Sequence, residues 1–208
     1  MKKVYLIRHG LPAFPVGKRM CIGTTDIPMG EEGLAQATEM AGKLPPVTAV
    51  FSSPLTRAVQ TAQAIGMPVT IFDDLREMHA GEWDGLTFEE IRRRYPELYA
   101  ARSHDLTIPL PGAEDHKEGL ARFTRAMEES AAMAPGDFAV VAHGGIIAQF
   151  IQDIRHNLIA PATQQTIWNL YPNSLWYLKA VPIVLMLLLF FLGIFIFSKN
   201  SKRFAEVM

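Results

Sequence analysis

The feature that most constrains the fold is a pair of apolar runs that end alike. Residues 4–7 (VYLI) lead directly into Arg8, His9 and Gly10, and residues 138–142 (FAVVA) lead into His143, Gly144 and Gly145. Short, β-branched-rich runs bounded by glycine read as strands buried on both faces, the signature of a parallel sheet. A third run, residues 47–53 (VTAVFSS), stops at Pro54, with Arg57 three positions on. Residues 68–72 and 173–181 read as further strands. Helical patterns lie at residues 31–43, 54–66, 87–102, 114–133 and from 144 to about 156, with Gly66 and the Pro45–Pro46 pair as stops. Alternating strands and helices predict an α/β three-layer sandwich, a mainly parallel central sheet with helices on both faces. No internal repeat or low-complexity segment interrupts it.

In such sheets the ligand crevice lies beyond the carboxyl ends of the strands. Arg8, His9, Arg57 and His143 are therefore expected to converge there. Paired guanidinium groups match phosphate oxygens with forked hydrogen bonds and stay charged at any working pH. A neutral imidazole can be the nucleophile when one nitrogen donates to a backbone carbonyl and the other offers its lone pair. Arg8, Arg57 and a protonated His143 would neutralise the transferring group without a metal. Glu77 and Glu82, in DLREMHAGEWDG after the third strand, are the candidate proton donors.

Composition narrows the alternatives. The formal net charge of −1 offers no basic surplus for a nucleic-acid backbone, so nucleic acid is not expected as a partner. The single cysteine, Cys21, excludes an internal disulfide and a cysteine-rich metal site. Residues 181–197 (VPIVLMLLLFFLGIFIF) carry no charge. At 1.5 Å per residue they make a rod of about 26 Å, close to the hydrocarbon thickness of a bilayer. Trp176 and Tyr177 precede the run, and Lys199, Lys202 and Arg203 follow it. The expected organisation is a catalytic domain at 1–180, a transmembrane helix at 181–198 and a short basic tail at 199–208. With no leader-like segment at the start, the body is expected in the cytoplasm of a single-pass protein, although the basic tail pulls the other way under the positive-inside rule.

The motifs LIRHG, SSPLTRAVQTA, LREMHAGEWDG and VAHGG, in this order, resemble the histidine phosphatase superfamily in its phosphoglycerate mutase-like branch. GTTDIPMGEEGLAQA at residues 23–37 and Asn173-Ser174 before the last predicted strand are similar to further stretches of that branch. The resemblance spans about residues 1–180. It implies that His9 is the phosphorylated nucleophile, that Arg8, Arg57 and His143 hold the phosphate, and that Glu77 protonates the leaving alkoxide and then activates water. Glu82 is the fallback donor. It implies no cofactor and no metal.

Mutases of the family usually follow Arg-His-Gly with an acidic residue and place an asparagine about six residues past the histidine. Here Leu11, Pro12 and Pro15 stand in those places, and the GEWDG segment looks like the broad phosphatases, the alpha-ribazole phosphatases of cobalamin assembly among them. The expected function is a metal-independent phosphomonoesterase acting on a small phosphorylated metabolite, with alpha-ribazole phosphate or cobalamin phosphate as candidates. A phosphoglycerate mutase and a weakly active, membrane-held phosphate-binding module are the alternatives. The sequence leaves the oligomeric state open. His79 and His116 are candidate pocket residues or plain loop residues, PGAED at 111–115 is either a substrate loop or a helix start, and Arg92–Arg94 reads as a solvated helix face.

Overall fold

A computed structural model describes residues 2–105 and 108–155, which apart from Ile154 and Arg155 belong to a compact unit spanning residues 1–153. Four strands, β1 (Val4–Arg8), β2 (Ala49–Ser52), β3 (Val69–Ile71) and β4 (Phe138–Ala142), form one parallel sheet in the order β1-β4-β2-β3. Six α-helices accompany it among the described residues: α1 (Glu31–Lys43), α2 (Thr56–Gln63), α3 (Phe88–Arg94), α4 (Pro96–His104), α5 (His116–Met133) and α6 (Gly144–Ile154).

The two faces of β4 show how the sheet is covered. All five of its residues are buried. Phe138, Val140 and Ala142 pack with Phe123, Ala126 and Met127 of α5 and Ile146 of α6. Ala139 and Val141 point the other way, onto Ala58 and Ala62 of α2. Side chains alternate across a strand, so the uninterrupted apolar run seen in the sequence supplies two cores at once. Phe51 stacks on Phe72 and meets Phe138 edge-on, with ring centroids 5.6 and 5.9 Å apart. Truncating a fully buried ring such as Phe123 to alanine costs about 3–5 kcal/mol.

Register then places the site. Val4 pairs with Phe138 and Arg8 with Ala142, while Ser52 pairs with Val141. The backbone continues just past the strands, the His9 N–H donating to the Ala142 carbonyl at 3.1 Å and the Ser53 N–H to the Val141 carbonyl at 3.0 Å. His9, Ser53 and His143 therefore leave the sheet at the same edge.

The helix expected over 87–102 is two helices. Thr87 opens α3 with a capping box to Glu90, and the chain leaves helical geometry at Tyr95 (φ −132°, ψ 54°) before Pro96 starts α4. The proline ring crowds the residue before it and disfavours helical backbone there. Helix α2 also begins later than expected, because Leu55 stays extended (ψ 133°). The strand expected at 173–181, His156 and the apolar run 181–197 lie outside the described residues. No helix among the described residues is long and apolar enough to cross a membrane.

Candidate active site

His9 sits at the carboxyl end of β1, half-buried, with both ring nitrogens engaged. Nδ1 lies 2.8 Å from the Gly10 carbonyl, and Arg57 Nε donates to Nε2 at 3.3 Å. A carbonyl can only accept, so the proton is on Nδ1 and the lone pair on Nε2. Burial pulls the imidazole down to about 4 against the raising effect of the Gly10 carbonyl, and the Arg57 and Arg8 charges add to the drop. The ring is neutral at working pH and presents its lone pair beside a cation.

The Gly10 carbonyl is itself fixed by close backbone contact. Gly10 N–H donates to Thr61 Oγ1 at 3.0 Å. A side chain at Gly10 would come within 2.4 Å of the Gly33 carbonyl oxygen of α1, and one at Gly33 within 2.1 Å of the Leu11 oxygen.

His143 is fully buried at the end of β4. Its Nε2 lies 2.7 Å from Ser53 Oγ, and its Nδ1 is buried with no hydrogen-bond partner among the described residues. The two histidine rings are 5.0 Å apart, centroid to centroid. Burial first, then Arg57 and His9, lower the His143 imidazole to about 2. The expectation of a protonated His143 is thus corrected: burial beside the Arg57 guanidinium disfavours a second cation. What this ring offers is a hydrogen bond.

Arg57, second residue of α2, is fully buried, and a strap made of residues 23–26 holds it. NH1 and NH2 donate to the Thr25 and Gly23 carbonyls, each at 2.8 Å. Asp26 caps the helix beneath, accepting from Thr56 N–H and Oγ1 at 2.8 and 2.6 Å. Asp84 locks the strap, accepting from the N–H groups of Gly23, Thr24 and Thr25 and from Thr24 Oγ1 at 2.8–3.2 Å. Burial pushes the Asp84 carboxyl up, but the donors of Thr25, Thr24 and Gly23 outweigh it and hold it below the ordinary range. With three of its five N–H bonds spoken for, Arg57 keeps two for a ligand.

Arg8 is exposed at the strand end, its guanidinium lying against Gly144, where a Cβ would meet Arg8 Nε at 3.2 Å. Glu77 caps α6. Its carboxylate accepts from Gly145 N–H and Ile146 N–H at 2.9 Å each and from Met78 N–H at 3.0 Å. The two glycines after His143 therefore admit, in turn, a guanidinium and a carboxylate. Arg8, His9, Arg57, His143 and Glu77 form one cluster. Glu82 does not join it: the residue is exposed, and its carboxylate bonds the Tyr95 side chain.

Three functional groups escaped the sequence reading: Ser53, Asp84 and Arg122. Arg122 of α5 is 4% exposed and pairs with Glu114 at 2.6 Å. It also donates to the carbonyls of Asp74, Arg76 and Glu77 at 2.7–3.2 Å, fixing the segment that delivers Glu77. Local sequence carries no sign of such long-range pairs, although the acid of the GEWDG motif, Asp84, was within view. The helix-start reading of PGAED holds, Asp115 capping α5, and Ala113, Glu114 and Asp115 also line a cavity. His79 and His116 line it too, and Arg92, Arg93 and Arg94 are exposed. Cys21 is another wall residue, its thiol raised by burial to about 11 and so protonated.

A glucosyl-3-phosphoglycerate phosphatase of Mycobacterium tuberculosis is 34% identical over 163 residues, 71% of this chain and 72% of that protein. The native structure of a mycobacterial glucosyl-3-phosphoglycerate phosphatase superposes with a TM-score of 0.64 at 31% identity, covering 76% of this chain and 82% of that one. The crystal structure of a putative alpha-ribazole-5'-P phosphatase from Escherichia coli gives 0.63 at 25% identity, covering 73% and 78%. Residues 4–169 match the histidine phosphatase superfamily (branch 1). The chain belongs to that superfamily and is a phosphoric monoester hydrolase.

Proposed function

We propose that the protein hydrolyses small phosphomonoesters in two displacements through a phosphohistidine on His9. The observation that carries this reading is the neutral His9 ring, with its proton held on Nδ1 by Gly10 and its Nε2 lone pair against Arg57. Nε2 attacks phosphorus, and the bond to the alcohol oxygen breaks. Arg57 and Arg8 neutralise the equatorial oxygens, and His143 adds a hydrogen bond. A carboxylate offers about four lone-pair sites, and backbone N–H groups take three on Glu77. The remaining site can carry a proton: Glu77 enters as the carboxylic acid and protonates the leaving oxygen, and the carboxylate so formed takes a proton from the water that cleaves the N–P bond, which restores the acid. No step in this sequence calls for a metal.

Phosphate release is favoured over mutase chemistry by Leu11, Pro12 and Pro15 after the nucleophile. Alpha-ribazole phosphate, the class of substrate named for one relative, and cobalamin phosphate are the candidates. Rapid-quench labelling of the full chain with a 32P-phosphomonoester tests the mechanism. An acid-labile, alkali-stable adduct that disappears in His9→Ala is expected. Undiminished turnover in His9→Ala, or interconversion of 2- and 3-phosphoglycerate faster than phosphate release, would sink it.

We further propose that residues 181–197 tether the catalytic domain to a membrane, with that domain on the cytoplasmic side. The support is the uncharged length of the run, flanked by Trp176, Tyr177 and a basic tail. Fractionation of the full chain beside a version ending at Ala180 tests the tether. Finding both in the soluble fraction refutes it.

A further inference from the structure

We infer that the alcohol half of the substrate is a bulky aromatic group without a carboxylate, seated in a cavity of about 590 Å³ beside the phosphate cluster. This rests on the phosphomonoesterase reading and names its substrate class. Cavity and cluster share walls. Gly23 takes a hydrogen bond from Arg57 through its carbonyl, Glu77 is the proposed proton donor, and Gly145 is capped by Glu77; all three line the cavity. A phosphomonoester presented to His9 would then direct its bridging oxygen to Glu77 and its alcohol half into the cavity.

The size and the walls select the occupant. Pockets of about 300–1,000 Å³ take drug-sized ligands, so a three-carbon alcohol would leave most of this one to water. Met78, Trp83, Phe88, Tyr99 and Leu110 supply apolar and aromatic surface, the rings of Trp83 and Tyr99 lying 6.1 Å apart at 34°. A flat aromatic group buries well against such a wall.

The charges disfavour acids. Among the described residues Arg102 is the only lysine or arginine lining the cavity; its guanidinium lies 5.8 Å from the Trp83 ring centroid and donates one N–H to the Ile108 carbonyl. Three carboxylates, Glu77, Glu114 and Asp115, line the same space. Their hydrogen-bonding capacity goes to α6, to Arg122 and to the first turn of α5 respectively. A carboxylated alcohol would lose its solvation and meet like charge, so rejection is built into the walls.

The test compares three esters with alkoxide leaving groups, 2-(1-naphthyl)ethyl phosphate, ethyl phosphate and 3-phosphoglycerate, in steady-state assays of the full chain. The naphthylethyl ester is expected to exceed both others in kcat/KM by at least 30-fold. Leu110→Trp, which fills the cavity, and Tyr99→Ala, which removes a wall, should each cut that ratio at least fivefold. A ratio within threefold, 3-phosphoglycerate as the best substrate, or a ratio untouched by both variants overturns the inference. Calorimetry with the matching naphthylethyl-, ethyl- and 2-carboxyethylphosphonates separates it from the catalytic reading. If no ester turns over but the naphthyl phosphonate still binds tightest, the hydrolase mechanism fails and the cavity assignment stands. Equal or absent binding overturns the cavity assignment itself.

Discussion

Asp84 touches no substrate in the proposed mechanism, yet Asp84→Asn is expected to disable the enzyme. Its carboxylate, 7% exposed, takes all four bonds that close the 23–25 strap, two on each oxygen. Asparagine keeps one oxygen and turns an amide N–H toward two donors, so two charge-assisted bonds are lost. Hydrogen bonds to a charged group contribute about 1.5–3 kcal/mol each, and losses at one site do not add fully, giving a cost of about 2–4 kcal/mol. The functional loss follows from Arg57, because two of its three contacts are strap carbonyls. Misplacing a clamp by about 1 Å costs on the order of 100-fold in rate. Urea unfolding measures the first quantity, and kcat/KM for p-nitrophenyl phosphate, taken well below the unfolding midpoint, measures the second. Thr24→Ala is the control, removing one bond of the four for about 1.5 kcal/mol and less than threefold in rate. A folded Asp84→Asn protein with wild-type kcat/KM would show that the strap does not position Arg57.

Three further outcomes are expected. Arg122→Met leaves the half-buried Glu114 with only the longer Arg76 pair and the His79 N–H, and frees three carbonyls of the Glu77 segment, so it should destabilise by about 2–4 kcal/mol in urea titration. Glu77→Gln should lower the single-turnover rate of His9 phosphorylation at least 100-fold with ethyl phosphate but under tenfold with p-nitrophenyl phosphate, whose leaving group needs little protonation; equal losses would reduce Glu77 to a helix cap. The imidazoles of His9 and His143, lowered to about 4 and about 2, should keep neutral-ring 15N shifts down to pH 5, and titration of either near 6.5 would refute the burial argument. The sign for stability follows: below about 6.5 the unfolded chain binds protons that these native rings refuse, so the melting temperature falls with acidification. His143→Gln should flatten part of that slope.

The phosphate cluster was legible because its members stand at the ends of apolar runs, where strand periodicity and the topology of parallel sheets place them without further information. Arg8, His9, Arg57 and His143 needed nothing else. The break between α3 and α4 was equally open to inspection, since Pro96 disfavours helical backbone at Tyr95. Asp84, Ser53 and Arg122 are a different kind of residue. Their partners lie tens of positions away, and only the folded chain brings an aspartate after the third strand against a loop after the first. The charge state of His143 was likewise out of reach, because burial depends on what α2, β4 and their neighbours exclude.

The contact between Gly10 and Gly33 bears on how this enzyme can be altered. The group that selects the protonated nitrogen of His9 is a main-chain oxygen, so no exchange of side chains can delete it. It can only be displaced, and what holds it in place is the first turn of a helix with no methyl group between the two backbones. Gly33→Ala would therefore behave as an active-site lesion at a position that meets neither substrate nor nucleophile. The ring's tautomer is inherited from helix packing.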